Sequence, residues 1–274
     1  LIGFNSLFSQ NVIRETRAIF SEFGTKITKV VIPSTKLSDL MLREAVSKGW
    51  RISPFEFCSL DDYHRLKNDP NFFFLLIQEG RYKKDSEPTI DYLTLERGGE
   101  FSGRRLIGPG RDIITLPLQS TLDETGQYLH LLPIYIDIIQ NHIYKVQQDI
   151  SLAFKGTAIY SDRVSELRDK ELLFSLDLIN FTASETEFKS FFNRRVTVVD
   201  SDTIESAIVT NKRNAAVPVV ITPEGSPNSS FCYKMIISTD THELLFFRRH
   251  RITSRRSAGF TKEDIRKISA PFQF

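Results

Sequence analysis

The chain passes twice through the same order of predicted elements: strand, helix, strand, helix, strand, strand. The first pass covers Lys26 to Gly99 and the second covers Glu171 to Arg251. Each contains a continuous apolar run, typical of a strand buried on both faces, followed by a Glu-Gly turn at Glu79-Gly80 or Glu224-Gly225. Few side chains are shared, so the order of elements is what repeats. The repeat predicts an α/β (α+β) fold of two tandem, duplicated domains with mixed sheets.

The length of the chain agrees with this organisation, because 274 residues correspond to about two domains. We predict an N-terminal segment over residues 1–25, a first repeat over 26–99 and a second repeat with a C-terminal helix over 156–274. The linker, 100–155, contains a short strand at 113–118 and an amphipathic helix. The second repeat has a final strand, starting at Leu244, that has no counterpart in the first.

The linker helix carries apolar residues at helical spacing from Leu129 to Val146, with Asp137, Asn141 and Lys145 on the opposite face. We expect this long amphipathic helix to join the two domains and pack between them. Its polar face is not rich in lysine, whereas the polar face of a membrane-surface helix is. No stretch of the chain reaches the 18 or so apolar residues that a membrane span needs.

The first ten residues, Leu1 to Gln10, resemble the end of a signal peptide, with Ser9 before a cleavage site and Gln10 opening the mature chain. The alternative is a first helix that packs its own Leu, Ile and Phe side chains. The signal-peptide interpretation predicts a periplasmic or secreted protein, and the helix interpretation leaves a cytoplasmic location open. The net charge of +2 gives no general reason to expect nucleic acid or an anionic membrane as partner.

Motifs of catalysis and cofactor binding are missing. The stretch Gly103 to Gly108 has the glycine spacing of a phosphate-binding loop, but Pro109 and Gly110 stand where that loop needs Lys and Ser or Thr. No serine lies in a Gly-x-Ser-x-Gly elbow. We therefore predict no catalytic residue, no cofactor and no metal, and an enzyme is the less favoured class.

The histidines and cysteines give no site either. No histidine pair has metal-ligand spacing, so the sequence predicts five solvated surface histidines: His64, His130, His142, His242 and His250. Cys58 and Cys232 belong to different repeats, which favours two buried free thiols over a disulfide between domains.

The densest charge cluster is the candidate binding site. It comprises the arginines of one strand end and the turn that follows: Arg248, Arg249, Arg251, Arg255 and Arg256. Because a strand alternates faces, Phe246, Arg248 and His250 are predicted on one side and Phe247, Arg249 and Arg251 on the other. Three roles remain open: a solvated edge that prevents sheet-to-sheet pairing, a contact with an acidic protein or polysaccharide, and a single-stranded nucleic-acid site.

Two resemblances bear on function. The run Gly49 to Phe57, the apolar strand Asn71 to Ile77 and the stretches Asp91 to Leu95, Tyr233 to Asp240 and Phe260 to Ile265 resemble conserved secreted proteins of Bacteroidetes-type bacteria that have no assigned function. In topology alone, each repeat resembles the small α/β domain of the Tol-system periplasmic protein and of curli-secretion-type lipoproteins. These resemblances imply a binding or assembly role in the cell envelope.

The leading functional hypothesis is a non-enzymatic envelope or secreted protein that binds another macromolecule, a protein or a polysaccharide of the envelope. The first alternative is an enzyme whose site lies in the cleft between the two domains. The second is a nucleic-acid binder that uses the C-terminal arginines, which the near-neutral charge makes unlikely.

Overall fold

The computed structural model describes residues 2–80, 89–100 and 111–273, without the side chains of residues 2–9, 162 and 163. The glycine-rich stretch Gly103 to Gly108 lies outside the described residues, so the prediction that it is a linker turn is not addressed. The chain forms two compact units, each assembled from three segments. The first unit comprises residues 1–78, 92–116 and 132–156, and the second comprises residues 79–91, 117–131 and 157–274.

The first sheet has five strands in the order β2-β1-β3-β4-β5. β1 is parallel to both β2 and β3. The amide of Gly98, after β4, donates to the carbonyl of Phe72, at the start of β3, so those two strands are antiparallel. The sheet is therefore mixed, as predicted. The strands are β1 (Ile27–Val31), β2 (Phe55–Cys58), β3 (Phe72–Gly80), β4 (Ile90–Arg97) and β5 (Asp112–Ser120).

The helices of the first half are α1 (Ile2–Ser21), α2 (Leu37–Gly49), α3 (Leu60–Leu66) and α4 (Leu132–Gln148). α3 begins after Ser59, which forms a reciprocal capping box with Asp62. α4 contacts α1 and α2. The fully buried side chain of Gln140 accepts a hydrogen bond from the amide of Arg51 (2.8 Å) and donates one to the carbonyl of Gly49 (3.0 Å). It therefore satisfies backbone groups at the end of α2.

Burial extends around more of α4 than the apolar stripe in its sequence indicates. Ile134, Ile138 and His142 are buried together with the predicted apolar face. The prediction that His142 is a solvated surface residue is wrong, because its position on the helix places it among apolar side chains and leaves it with no exposed surface.

The second sheet repeats the first strand by strand. Its order, β7-β6-β8-β9-β10, matches β2-β1-β3-β4-β5, and β6 is parallel to β7 and β8 while β9 is antiparallel to β8 and β10. The fold is therefore a duplicated α/β fold with mixed sheets, as predicted. The strands are β6 (Glu171–Phe174), β7 (Val196–Val198), β8 (Ala215–Ile221), β9 (Phe231–Ser238) and β10 (Leu244–Arg251).

The expectation that the second repeat has one strand more than the first is wrong. The strand predicted at 113–118, in the linker, is β5, the fifth strand of the first sheet. In the sequence it is separated from β4 by a glycine- and arginine-rich stretch, whereas β10 follows β9 after a short turn at Asp240. Because this connection is long, the sequence pattern predicts β5 as part of the linker rather than as the equivalent of β10.

Among the described residues, the α-helices of the second half are α5 (Glu185–Phe191), α6 (Ser201–Val209) and α7 (Lys262–Ser269). Each starts at a side-chain cap, provided by Ser184, Asp200 and Thr261 in turn. The apolar core of this half contains buried phenyl rings in edge-on, tilted or stacked contact, at Phe174, Phe188, Phe192, Phe246, Phe260 and Phe272.

Candidate functional site

The predicted arginine cluster lies on β10, the end strand of the second sheet, and on the turn that follows it. The predicted alternation of its side chains is confirmed. Arg248 contacts α7, whereas Arg249 and Arg251 both contact Phe231 of the neighbouring strand β9. The cluster is therefore divided between the two faces of the strand.

Arg249 and Arg251 are exposed and held side by side. Their guanidinium carbons lie 4.8 and 4.9 Å from the centre of the Phe231 ring. Arg251 also donates a hydrogen bond to the carbonyl of Ser229 at 2.9 Å. Contacts between a guanidinium and an aromatic face contribute about 0.5–1 kcal/mol at exposed sites and restrict the side chain. We call Phe231, Arg249 and Arg251 the arginine face.

Arg255 and Arg256 occupy an exposed turn immediately after β10. The turn is closed by two backbone hydrogen bonds of 3.0 Å between Thr253 and Arg256, one in each direction. These hydrogen bonds fix the backbone of the two residues, but they do not hold the arginine side chains.

Arg248 is half-buried and lies against α7, apart from the exposed arginines. Its two terminal nitrogens bind two carboxylates of α7, Asp264 at 3.1 Å and Glu263 at 3.1 Å. The structure thus brings Arg249 and Arg251 together, places Arg255 and Arg256 in the following turn, and turns Arg248 inward. Its two partners lie 15 and 16 residues further along the chain, so local sequence did not reveal them.

A buried ion pair fixes α7 on the inner face of β9. The ammonium of Lys234 contacts Asp264, and both side chains are 1% exposed. The same carboxylate accepts hydrogen bonds from the amide (2.9 Å) and the hydroxyl (2.7 Å) of Thr261. Burial opposes ionisation of Asp264, but Lys234 and Thr261 outweigh it, so the pKa of Asp264 is lowered. The pair explains why Arg248 finds a carboxylate on this face.

His250 and Cys232 are also interior. His250 is 5% exposed, and its Nε2 lies 2.9 Å from the carbonyl of Ser257. The prediction that it is a solvated surface histidine is wrong, because it faces inward beside Arg248 on β10. Burial lowers the pKa of His250, and the charge of Lys234 lowers it further. The histidine is therefore neutral near pH 7, when its Nε2 can donate to that carbonyl.

Cys232 is buried opposite His250 and is a free thiol, as is the half-buried Cys58. Its sulfur accepts a hydrogen bond from the amide of Gly259 at 3.2 Å. Burial raises the pKa of Cys232, which keeps the thiol protonated and makes it a poor nucleophile. Gly259 has a φ of +107°, and a Cβ at this position would lie 2.8 Å from the carbonyl of Leu178, so only glycine fits.

In the first unit, the residue closest to an acid catalyst in character is Glu96. It is 4% exposed, and burial raises its pKa. Its carboxylate accepts hydrogen bonds from the hydroxyl of Tyr63 (3.0 Å) and the side-chain amide of Gln78. Burial, together with Glu96, raises the pKa of Tyr63 to about 12. Each carboxylate oxygen thus accepts from a neutral donor, and Arg111 lies 4.0 Å from the oxygen that Tyr63 binds. These contacts form an internal network rather than a poised acid.

The second unit also has a surface that the sequence did not indicate. Residues 120–128 and 222–226 line a cavity of about 420 Å³. A smaller cavity of about 140 Å³ shares Gln127 and Tyr128 with it and extends to α6 and β8. We call the two cavities together the acidic groove, because carboxylates from both line it. Its residues come from four separate parts of the chain, and no sequence motif connects them.

No protein-family model, no curated protein and no solved structure matches this chain. Among the residues that the structure describes, no three side chains of His, Cys, Asp or Glu are placed to hold a metal ion. Within the same residues, every helix is too short or too polar to cross a membrane.

Proposed function

We propose that this protein is a non-enzymatic binding protein that recognises an acidic, extended segment of another protein at β10. The observation that carries the proposal is the pair of exposed guanidinium groups, Arg249 and Arg251, held side by side on the Phe231 ring. Ordered arginines lose less side-chain freedom when they bind a carboxylate, so more of the interaction energy contributes to affinity.

The spacing of the two arginines fits a β-strand partner. They are two residues apart on one strand, which separates their Cα atoms by roughly 7 Å. An extended segment with acidic residues at alternate positions presents its carboxylates on one face with the same spacing. Such a segment placed beside an end strand gains main-chain hydrogen bonds as well as carboxylate–guanidinium contacts.

A protein partner is favoured over nucleic acid by the state of the aromatic ring. Single-stranded nucleic acid binds to aromatic side chains that bases can stack on. Phe231 is only partly exposed and already contacts two guanidinium groups. The location that goes with this proposal is the periplasm or the cell exterior, which is supported by the resemblance to secreted bacterial proteins.

The experiment is a fluorescence-anisotropy titration with a labelled peptide of alternating Glu and Val. The full chain should bind it more tightly than the matched peptide of alternating Gln and Val. Substituting Arg249→Ala and Arg251→Ala together should weaken binding by at least tenfold, since one charge-assisted hydrogen bond contributes about 1.5–3 kcal/mol. Raising the salt concentration from about 50 to about 300 mM should also weaken the binding of the Glu peptide to the unsubstituted chain.

Arg213→Ala is the matched control, because Arg213 is an exposed arginine of the same unit that precedes β8. It should leave the affinity unchanged. Equal binding of the Gln peptide, or no loss in the double variant, would overturn the proposal. Tighter binding of single-stranded DNA or of a sulfated polysaccharide than of the acidic peptide would also overturn it, in favour of those partners.

A further inference from the structure

The acidic groove consists of two cavities that share Gln127 and Tyr128. We call residues 120–131, which line one or both cavities, the shared wall. The loop 222–226 lines the larger cavity, and residues of α6 and β8 line the smaller one. The amide of Glu224 donates to the hydroxyl of Ser120 at 3.0 Å, which ties the loop to the shared wall.

The charge of the groove is uniform. Five carboxylates line it, at Asp123, Glu124, Asp202, Glu205 and Glu224, and no lysine or arginine is among the described residues that do so. None of the five forms an ion pair with another described residue. The chain as a whole carries 36 basic and 34 acidic residues. The groove is therefore a local excess of negative charge on a nearly neutral molecule, and it favours a cationic occupant.

The groove also offers apolar surface. Leu122 stands in the wall of the larger cavity with 68% of its surface exposed. Ile204, Ile208 and Pro218 line the smaller cavity. At about 140 Å³, that cavity is close to the size of engineered cavities of about 150 Å³ that hold a benzene ring. It can take one aliphatic or aromatic side chain of a partner.

We infer that the acidic groove is a second docking site, for an extended segment of another protein in which lysines or arginines flank an apolar side chain. The apolar side chain enters the cavity beside α6, and the cations lie against Asp202, Glu205 and the carboxylates of the shared wall. Both features are needed, since the charges attract the segment and the cavity fixes its register. This surface is separate from the arginine face and has the opposite charge.

The probe is a labelled peptide of alternating Lys and Leu, compared with a matched peptide of alternating Gln and Leu, both titrated against the full chain. The Lys peptide should bind at least tenfold more tightly. The exposed helix positions permit Asp202→Asn with Glu205→Gln without disturbing the core, and this double variant should lose at least tenfold in affinity. Leu122→Ser, at another exposed position, should also weaken binding.

Glu185→Gln is the matched control, because Glu185 is an exposed carboxylate in the first turn of α5, as Asp202 is in the first turn of α6. It should leave the affinity unchanged. Equal binding of the two peptides, or full affinity in the double variant, would overturn the inference. The inference would also be overturned if the protein associated with itself and if two double variants each abolished that association: the groove variant, and Arg255→Ala with Arg256→Ala. The occupant of the groove would then be a second copy of the chain.

The proposed function and this inference fail separately. Loss of the basic-peptide signal alone leaves the arginine face as the binding site, and loss of the acidic-peptide signal alone leaves the groove. The double variant at each surface serves as an additional control for peptide binding at the other surface.

Discussion

At the scale of single residues, the ionisable groups inside the molecule are the ones that local sequence describes least well. His142 is fully buried in α4, and burial lowers its pKa to about 4, with a further contribution from Lys145. A helical period shows that a residue shares a face with its neighbours at three and four positions, but not how far burial extends around the helix. A similar limit applies to His250 on strand β10. The alternation of a strand shows which residues share a face, but not that a helix from later in the chain covers that face.

The pKa of His142 gives a prediction with a definite sign. Between pH 6.5 and about 4 the unfolded histidine binds a proton that the folded one does not, so acid lowers the stability of the first unit over this window. The loss reaches about 3 kcal/mol below the window. His142→Leu should remove this part of the pH dependence. Urea unfolding followed by the fluorescence of Trp50, the single tryptophan, measures it.

His64→Gln is the control for that measurement, because His64 is exposed on α3. It should retain the pH dependence of the parent chain. If His142→Leu also retained it, the protonation of His142 would not be the cause of the acid sensitivity.

At the scale of elements, the attachment of α7 to β9 is the clearest case of a polar contact that organises a binding surface. The buried pair of Lys234 and Asp264 lies beneath Arg248, whose own partners include Asp264. Strand alternation places Arg248 on the face opposite Arg249 and Arg251. The carboxylates of α7 hold Arg248 on that face, so it does not join the arginine face.

Removing one member of the buried pair should be costly. Asp264→Ala leaves the ammonium of Lys234 buried without its carboxylate and should lower the free energy of unfolding by about 3–5 kcal/mol. The double variant Lys234→Met with Asp264→Leu should recover most of the loss, since two apolar side chains need no compensation. Glu263→Gln, at the exposed partner of Arg248, should change it by less than about 1 kcal/mol. Urea denaturation of the three variants gives the comparison, and a double variant as unstable as Asp264→Ala would contradict it.

Most elements were predictable from local patterns. The apolar run of β3, the alternation of β10, the periodicity of α4 and the caps at Ser59 and Asp200 all indicated elements that the structure contains. What local patterns do not contain is pairing across a long connection. β5 was recognisable as a strand, but its place beside β4 depends on a contact across the glycine- and arginine-rich stretch.

At the scale of the whole molecule, the second unit is discontinuous in sequence. In addition to residues 157–274, it takes residues 79–91, which end in β4, and residues 117–131, which begin in β5. The acidic groove depends on this, because its shared wall comes from 120–131 and the rest from Leu178 onward. A site assembled in this way leaves no motif, and this is the physical reason why sequence indicated the arginines but not the groove.

The discontinuity predicts the behaviour of a fragment. A chain of residues 157–274 has all of the second sheet but lacks the buried leucines Leu129 and Leu131 and the groove wall that contains Tyr128. It should expose apolar surface, bind an apolar dye such as anilinonaphthalene sulfonate more strongly than the full chain, and aggregate. Dye fluorescence and light scattering measure this. A monomeric fragment that binds no more dye than the full chain would show that these segments are not needed for the core of the unit.

The matching strand orders place β5 and β10 at the equivalent end of the two sheets. An end strand must be kept from pairing with strands of other molecules. β5 carries Pro117, which removes a hydrogen-bond donor, whereas β10 carries arginines. The equivalent edges are therefore guarded by different chemistry. Proline only blocks pairing, whereas charge also gives an edge a sign that a partner can complement.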